Sequence, residues 1–385
     1  MRHSTIHAEA PVASPDLAVD PAGILVGVPA LNEESHIAAC LRSLMAGSPA
    51  MRAVRIVVAD GGSRDATRAV VAGLASEFPN LELIDNPSRL QSAALNRIVE
   101  TCARPEHRVL VRCDAHAVYP PGYVLRVAAS LAAREAAALA VPMDAVGAGR
   151  FQRAAAWAVD TPLGSGGAPH RGGRRSGWVD HGHHAGIRLD WFRRVGGYDP
   201  GFSHNEDAEL DHRLTLAGGR IWLDARIRVA YPMRATPAAL ARQYWLYGRG
   251  RARTVLKHRL RPQPRQLAPV FAVGGLTPGL LLAPLQPASL LLPAGYLGLL
   301  AGASLWTALR RRSATGLWVG PALAAMHLPW GAGFVATTIA HAWPAPTRIR
   351  SYRQASCGAE EPSPRAPDAR SEAARGSPPR PATSS

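Results

Sequence analysis

His204, Asn205, Glu206, Asp207, Ala208 and Glu209 follow one another at what reads as the opening of a helix. Acidic residues in a first helical turn complement the helix dipole. Here Asp207, with Glu206 beside it, is also placed to remove a proton from an attacking hydroxyl. Upstream, an apolar run ends in Arg112, Cys113, Asp114, Ala115 and His116. Residues two apart in an extended chain point to the same side, so the Asp114 carboxylate and the His116 imidazole could bind one metal ion whose other ligands are phosphate oxygens. Hard oxygen donors suit Mg²⁺, and the imidazole admits Mn²⁺. The same residues would also spell a solvated turn carrying a histidine by chance.

Three more clusters carry candidate chemistry. Val28, Pro29, Ala30, Leu31, Asn32, Glu33 and Glu34 close an apolar run, either as a plain helix cap or as part of a ligand edge. Asp60 precedes Gly61 and Gly62; its carboxylate could accept from a base N–H or a ribose hydroxyl while the glycines let a ligand approach the backbone. Gln243, Tyr244, Trp245, Leu246, Tyr247, Gly248 and Arg249 lie on a basic amphipathic stretch. That stretch could rest on a membrane surface and close over phosphates, or serve only as an interfacial anchor. Neither the GxGxxG fingerprint nor the GxxxxGK[ST] loop is present, which weighs against dehydrogenase and kinase chemistry.

The elements that must position these residues are legible as an alternation. Apolar or β-branched runs at 24–28, 54–59, 81–84 and 108–112 read as strands, and 37–45 and 91–100 as helices between them. Asp65 or Thr67 could cap a further helix after Ser63. Such alternation implies an α/β fold with a parallel sheet and ligands beyond the carboxyl ends of its strands. Residues 151–175 read as a helix followed by a loop over the site. Order returns over 186–192, in a helix at 207–217 that Gly218 and Gly219 end, and at 220–227.

Lys and Arg number 44 against 28 Asp and Glu, a net +16, a balance that suits nucleic acid, an anionic membrane or a phosphorylated substrate. The arginines crowd 242–265, just before a long apolar region, as in a juxtamembrane segment. No zinc-finger, basic-zipper or ribonucleoprotein pattern points to nucleic acid. Cys40, Cys102, Cys113 and Cys357 form no CxxC pair, which fits a reducing compartment. The first 20 residues lack the apolar stretch of a signal peptide, so the first domain is expected in the cytoplasm.

From 267 the composition shifts. Segments 267–285, 288–309 and 317–343 are each near the roughly 20 apolar residues that a spanning helix needs. Three full spans would separate Arg310, Arg311 and Arg312 from Arg348, Arg350 and Arg353 across the bilayer, against the positive-inside tendency. Pro329, Trp330 and Gly331 interrupt the last segment, so a re-entrant hairpin or two short segments are expected there. The resulting division is a flexible N-terminus at 1–22, a catalytic domain at 23–261, a transmembrane region of three or four apolar segments at 267–343, and a disordered tail at 348–385.

Taken together and in this order, the motifs resemble the family 2 glycosyltransferases, most closely the succinoglycan-biosynthesis ExoA-like branch. The resemblance is carried by VPALNEE from Val28, VVADGGSRDAT from Val57, NPSRLQSAALN from Asn86 and RCDAHAVYPPGY from Arg112. It continues in VGGYDPGFSHNEDAEL from Val195, GGRIWLD from Gly218 and RQYWLYGRG from Arg242. It implies a GT-A type domain and an inverting, metal-dependent hexosyl transfer from a nucleoside diphosphate sugar, usually a UDP-sugar. The acceptor would be lipid-linked or a polysaccharide. Pro29, Glu33 and Asp60 would hold the nucleoside, with Arg89, Arg234, Gln243 and Arg249 completing the donor side. Asp114 of the DxD-like element would bind the metal with His116, and Asp207 of the ED element would be the base.

This chain has His116 where a second Asp usually sits, which puts the metal's identity in question. Its Gln243 is followed by Tyr247 and Gly248 rather than the QxxRW of processive synthases, which favours single-sugar addition. The implied place is the inner membrane, multi-pass, with the catalytic domain cytoplasmic and no nucleic-acid partner. Two other classes remain open: a non-catalytic membrane protein that binds a nucleotide sugar within an assembly complex, and a sugar-phosphate nucleotidyltransferase.

Overall fold

The computed structural model describes residues 20–342. Residues 1–19 of the expected N-terminal extension and the whole 348–385 tail, with Cys357, lie outside the described residues.

The central sheet begins with four parallel strands in the order β3–β2–β1–β4: β1 Ile24–Ala30, β2 Arg55–Asp60, β3 Leu81–Asp85 and β4 Val109–Arg112. Helices α1 Ile37–Met45, α2 Thr67–Glu77 and α3 Gln91–Cys102 make the crossovers. The run of apolar residues in β1 is explained by burial on both faces, as expected of a parallel strand with helices above and below. Val28, Ile37, Leu41 and Val71 pack on one side of the sheet, and Leu25, Leu95, Ile98 and Leu214 on the other.

After α4 Tyr123–Ala133 come β5 Ala138–Ala140 and β6 Met143–Val146, then α5 Arg150–Val159, the short α6 Pro162–Ser165, and β7 Gly177–Val179. Next are β8 His184–Arg188, α7 Leu189–Arg194, α8 Glu206–Leu216, β9 Ile221–Leu223 and β10 Val229–Pro232. The sheet continues β4–β8–β5–β9–β7. Strand β8 runs antiparallel to both β4 and β5, and β7 antiparallel to β9, so the sheet is mostly, not wholly, parallel. A small second sheet pairs β10 with β6. Gly218, at φ +87°, turns the chain out of α8, the left-handed stop the sequence foretold.

Four long helices complete the described residues: α9 Pro237–His258, α10 Pro264–Leu281, α11 Leu291–Arg311 and α12 Val319–Ala342. A third apolar cluster, including Phe151, Leu240, Leu323 and Met326, joins α5 to α9 and α12. The segment expected to form a re-entrant hairpin or two short pieces is instead one continuous helix through Pro329. Neighbouring helices make this possible: a Cβ on Gly248 of α9 would lie 2.0 Å from the Trp330 carbonyl oxygen, and one on Gly333 of α12 would lie 2.4 Å from that of Trp245. The two backbones therefore touch in the turn that follows the proline, and packing of this kind supports a helix that has lost one N–H.

Two helical stretches, Pro287–Arg311 and Ala314–Ala342, are long and apolar enough to cross a membrane by length and composition. Much of α10 and α11 faces outward: Phe271 and Leu281 of the first and Leu291 and Leu309 of the second are all exposed, an apolar surface larger than scattered single residues would give.

Candidate active site

Strand β4 ends at Arg112, whose side chain is only 6% exposed, and the chain then turns through Asp114 and His116. These two residues sit in a turn, not in the extended backbone assumed from their spacing. Tyr119 pins the turn by accepting from the Asp114 N–H at 2.6 Å. Helix α8 brings its first turn to the same place. Asn205 precedes it in the left-handed conformation with no side-chain cap, and Glu206 and Asp207 follow, where the helix dipole favours their negative charge.

The guanidinium of Arg112 holds the acidic residues together. It donates from Nη1 to Asp207 Oδ1, while Nη2 lies 3.5 Å from Glu206 Oε1 and Nε 3.6 Å from Asp114 Oδ1. Asp114 Oδ1 also accepts from Gln91 Nε2 at 2.9 Å. On the other side stands His183, with Nε2 3.8 Å from Asp114 Oδ2 and Nδ1 3.8 Å from Asp207 Oδ2. His184 is fully buried behind it. Its Nδ1 lies 3.3 Å from Asp207 Oδ1 and 3.0 Å from the Tyr198 hydroxyl, and its Nε2 pairs with Asp211. Asp211 in turn meets His181 Nδ1 at 2.6 Å.

These neighbours set the charge states. Burial would push the Asp207 carboxyl up, but Arg112, His184 and His183 outweigh it and hold Asp207 well below the usual carboxylate range. Glu206 moves the opposite way, raised by burial and by the charge of Asp207 next to it. Burial also pulls His183 down to about 4, with Asp114 opposing, so its imidazole is neutral near pH 7. His184 is held protonated despite burial by Asp211, Tyr198 and Asp207 around it. Two adjacent carboxyls thus behave differently because only one receives the full cationic contact.

Arg112, Asp114, His181, His183, Glu206 and Asp207 of this network line one cavity of about 1430 Å³. Among the sequence-predicted residues, Pro29, Glu33 and Arg89 line one part of it, with Asp114 and His116 beside them, and Glu206 and Asp207 at the back. Arg234 and Gln243 line it from β10's end and α9. Gln243 is fixed by donating to the Tyr231 hydroxyl at 2.8 Å and the Tyr247 hydroxyl at 2.9 Å.

Two predicted residues are placed differently. Asp60 does not line the cavity; it is buried, and its carboxylate accepts from the Gly62 and Ser63 backbone, the Ser63 hydroxyl and Arg68. It shapes the loop that follows β2. Arg249 is exposed on α9 and is likewise not a lining residue.

Sequence reasoning gave no role to Arg112, His181, His183, His184 or Asp211. The signal was present as a charged residue ending a buried strand and as the run His181, Gly182, His183, His184. Neither has a meaning until the fold brings α8 against them.

Among the described residues no three His, Cys, Asp or Glu side chains form a metal cage by themselves. What they form is an open set. The Oδ2 of Asp114 faces His183, and His116 pairs through Nδ1 with Glu33 Oε1 at 3.2 Å, the arrangement that orients a ligating Nε2. Such donors fit a divalent cation that takes its remaining ligands from phosphate oxygens.

A largely parallel sheet with acidic residues gathered beyond the carboxyl ends of its strands defines a GT-A type domain. In agreement, the family model "Glycosyl transferase family 2" matches residues 25–196. The "Succinoglycan biosynthesis protein ExoA" of Rhizobium meliloti (strain 1021) is 43% identical over 311 residues, covering 80% of this chain and 93% of that protein. The chain therefore belongs to the family 2 glycosyltransferases, on the ExoA-like branch. The same fold is seen in "Mannosyltransferase PcManGT from Pyrobaculum calidifontis in complex with GDP-Man and Mn2+", with a TM-score of 0.53 and 20% identity over 81% of this chain and 89% of that one.

Proposed function

We propose that this chain transfers a single hexosyl unit, with inversion, from a UDP-sugar to a lipid-linked or glycan acceptor in exopolysaccharide assembly. It would work from the cytoplasmic face of the inner membrane, anchored by its apolar helices. The likeness to the Rhizobium meliloti protein supports the pathway, and the exposed leucines of α10 and α11 support the anchor. The observation that carries the chemistry is the pair of carboxylates, Asp114 and Asp207, facing one imidazole in a large cavity.

In this reading the nucleoside lies against Pro29, Glu33 and Arg89, and Arg234 and Gln243 approach the diphosphate; Asp60 supports the adjoining loop from behind. A Mg²⁺ or Mn²⁺ ion held by Asp114 and His116 would offset charge on the diphosphate. The acceptor oxygen forms its bond to the anomeric carbon as the bond from that carbon to the phosphate oxygen breaks. The electron pair leaves with the nucleoside diphosphate, and the acceptor proton passes to Asp207. A hydroxyl becomes strongly acidic only as its new bond forms, so a carboxylate that is ionised throughout can take the proton late. Attack from the face opposite the leaving group inverts the centre.

The test is release of nucleoside diphosphate from UDP-, GDP- and dTDP-sugars with Mn²⁺ or Mg²⁺, using full-length wild type and Asp207→Asn. Turnover of one donor, lost by about 10² or more in the variant, is expected. A protein that binds donors but turns none over, even with lipid acceptors supplied, would instead be a binding component.

A further inference from the structure

Behind Asp207 lies a chain of polar side chains that the transfer itself does not touch. His184, Tyr198 and Asp211 are buried, and none of the three lines the cavity. His184 Nε2 pairs with Asp211 Oδ1, and the other Asp211 oxygen accepts from the Gly182 N–H at 3.2 Å and lies 2.6 Å from His181 Nδ1. On its opposite edge His184 Nδ1 lies 3.0 Å from the Tyr198 hydroxyl, which donates to Asp207 Oδ1 at 3.3 Å. Tyr198 is itself held by α3: its N–H donates to Asn96 Oδ1 at 2.8 Å and its carbonyl accepts from Asn96 Nδ2 at 2.7 Å.

These contacts are one-sided. Asp207 Oδ1 accepts from Arg112 Nη1 and from the Tyr198 hydroxyl, and His184 Nδ1 is 3.3 Å from it. Oδ2 accepts no hydrogen bond among the described residues; His183 Nδ1 stands 3.8 Å away, beyond hydrogen-bond reach. The torsion that turns a carboxylate about its Cβ–Cγ bond has only broad preferences, so an unassisted aspartate would present either oxygen over a wide range of angles. Three donors on one oxygen remove that freedom. They also make that oxygen a poor place for a further proton, which would have to point at hydrogens already there.

We infer that Asp207 acts through Oδ2 alone, and that His184 and Tyr198, backed by Asp211, are positioning residues that hold Oδ1 so that Oδ2 faces the attacking hydroxyl. This rests on the transferase reading and names the atom it uses. The acceptor O–H bond breaks as its oxygen bonds the anomeric carbon, the proton forms its new bond to Oδ2, and Oδ1 keeps its donors throughout. Arg112 reaches Oδ1 from β4, His184 from β8 and Tyr198 from the segment after α7. The carboxylate is thus fixed by the sheet as well as by its own helix.

The test uses substitutions that separate holding the fold from holding the carboxylate. They are assayed on the full chain in detergent by nucleoside diphosphate release from the donor that the wild type turns over. Tyr198→Phe deletes one hydroxyl and keeps the ring. It should lower kcat about tenfold and leave the donor KM within about twofold, because the lost contact serves the transition state and not binding. His184→Gln can place its amide nitrogen near the Nε2 position and keep the bond to Asp211, whereas His184→Asn can place one near Nδ1 and keep the side that faces Asp207. Asn should therefore be the more active variant and Gln the one with the higher melting temperature. A purely structural histidine would rank the two the same way in both measurements. In an Asp207→Asn background, Tyr198→Phe should cost less than about twofold more, since groups that act through one residue are not additive.

The inference is overturned if Tyr198→Phe keeps full kcat, if its loss recurs in the Asp207→Asn background, or if activity follows stability in the two histidine variants. Should both histidine variants fail to fold, Tyr198→Phe decides alone. Absence of turnover in the wild type with every donor is a different result: it sinks the transferase reading and takes this inference with it. Turnover that Asp207→Asn abolishes and Tyr198→Phe leaves intact sinks only this one.

Discussion

Arg112 and Asp207 form a buried ion pair at the floor of the cavity, the guanidinium of a strand end closing on the first turn of a distant helix. The same guanidinium faces Glu206 and Asp114, so three carboxylates depend on one cation. Replacing Arg112 with Gln leaves them facing one another, and breaking a buried pair in this way costs about 3–5 kcal/mol. The thermal midpoint should fall markedly.

Arg112 also fixes the protonation of the proposed base. With its cation gone, the depressed Asp207 carboxyl rises, so the ionised base is present only at higher pH. The acid limb of kcat/KM against pH should move upward by at least about one unit in Arg112→Gln. Arg112→Lys, which keeps the charge but not the fork, should restore most of the profile and less of the rate. A profile unchanged in Gln would mean that Asp207 is not the group being titrated.

His183 stands between Asp114 and Asp207, 3.8 Å from each. A neutral imidazole there can face a cation bound at Asp114 without adding charge. In the presence of UDP, His183→Ala should weaken Mn²⁺ binding by about 10–100-fold, read from the free-ion paramagnetic resonance signal. His181→Ala, one shell away on Asp211, should change it far less.

The predicted helix at 37–45 coincides with α1 Ile37–Met45, and the predicted strands match β1 to β4 closely, because each carries a period or a β-branched run of its own. Strands β5, β7 and β9 are three residues each, too short to show a period, and they are strands only because β8 and one another pair with them. The same reason hid much of the site. Asp114, Asp207 and Glu33 can be singled out since acidic residues at strand and helix ends signal themselves, but Arg112 reads locally only as the end of a strand, and His183 stands between the segments that carry a local signal. Their roles come from helix α8 docking across the sheet, which no local window contains. The expected break near Pro329 failed likewise: a proline interrupts an isolated helix, whereas here α9 holds the turn in place.

Glu209 fastens α8 to α9. It is fully buried and accepts from Arg213 Nε at 3.0 Å, Lys257 Nζ at 2.5 Å and His258 Nε2 at 2.9 Å. Burial pushes its carboxyl up, but these donors together hold it down to about 2. A carboxyl lowered on folding stabilises the fold above its unfolded value of about 4.3 and loses that contribution as pH falls toward the folded one. Glu209→Gln should therefore melt earlier than wild type at pH 7, by roughly 2 kcal/mol. The two melting curves should converge as the pH is lowered to about 2; a gap that persists there would assign the effect to packing.

Helix α9 can serve the cavity only if it lies hard against α12. A Cβ at Gly248 would come within 2.0 Å of the Trp330 carbonyl oxygen, a backbone atom that cannot rotate away. Gly248→Ala must separate the two helices, at a cost of about 1–3 kcal/mol or more. Because α9 also carries Gln243, Tyr247 and Arg251 into the cavity, the same shift should displace them and lower donor turnover. Gly73→Ala is the matching control: it lies inside α2 with nothing within 4 Å of the added carbon, and helix propensity alone should make it neutral or slightly stabilising, by up to about 1 kcal/mol. Thermal melts and nucleoside diphosphate release, measured on both variants in the same detergent, separate the effects. Loss of both in Gly248→Ala and of neither in Gly73→Ala would establish that contact between α9 and α12 sets the geometry of the site. Loss of stability with full turnover would show that the cavity tolerates the displacement and that its alignment comes from the sheet alone.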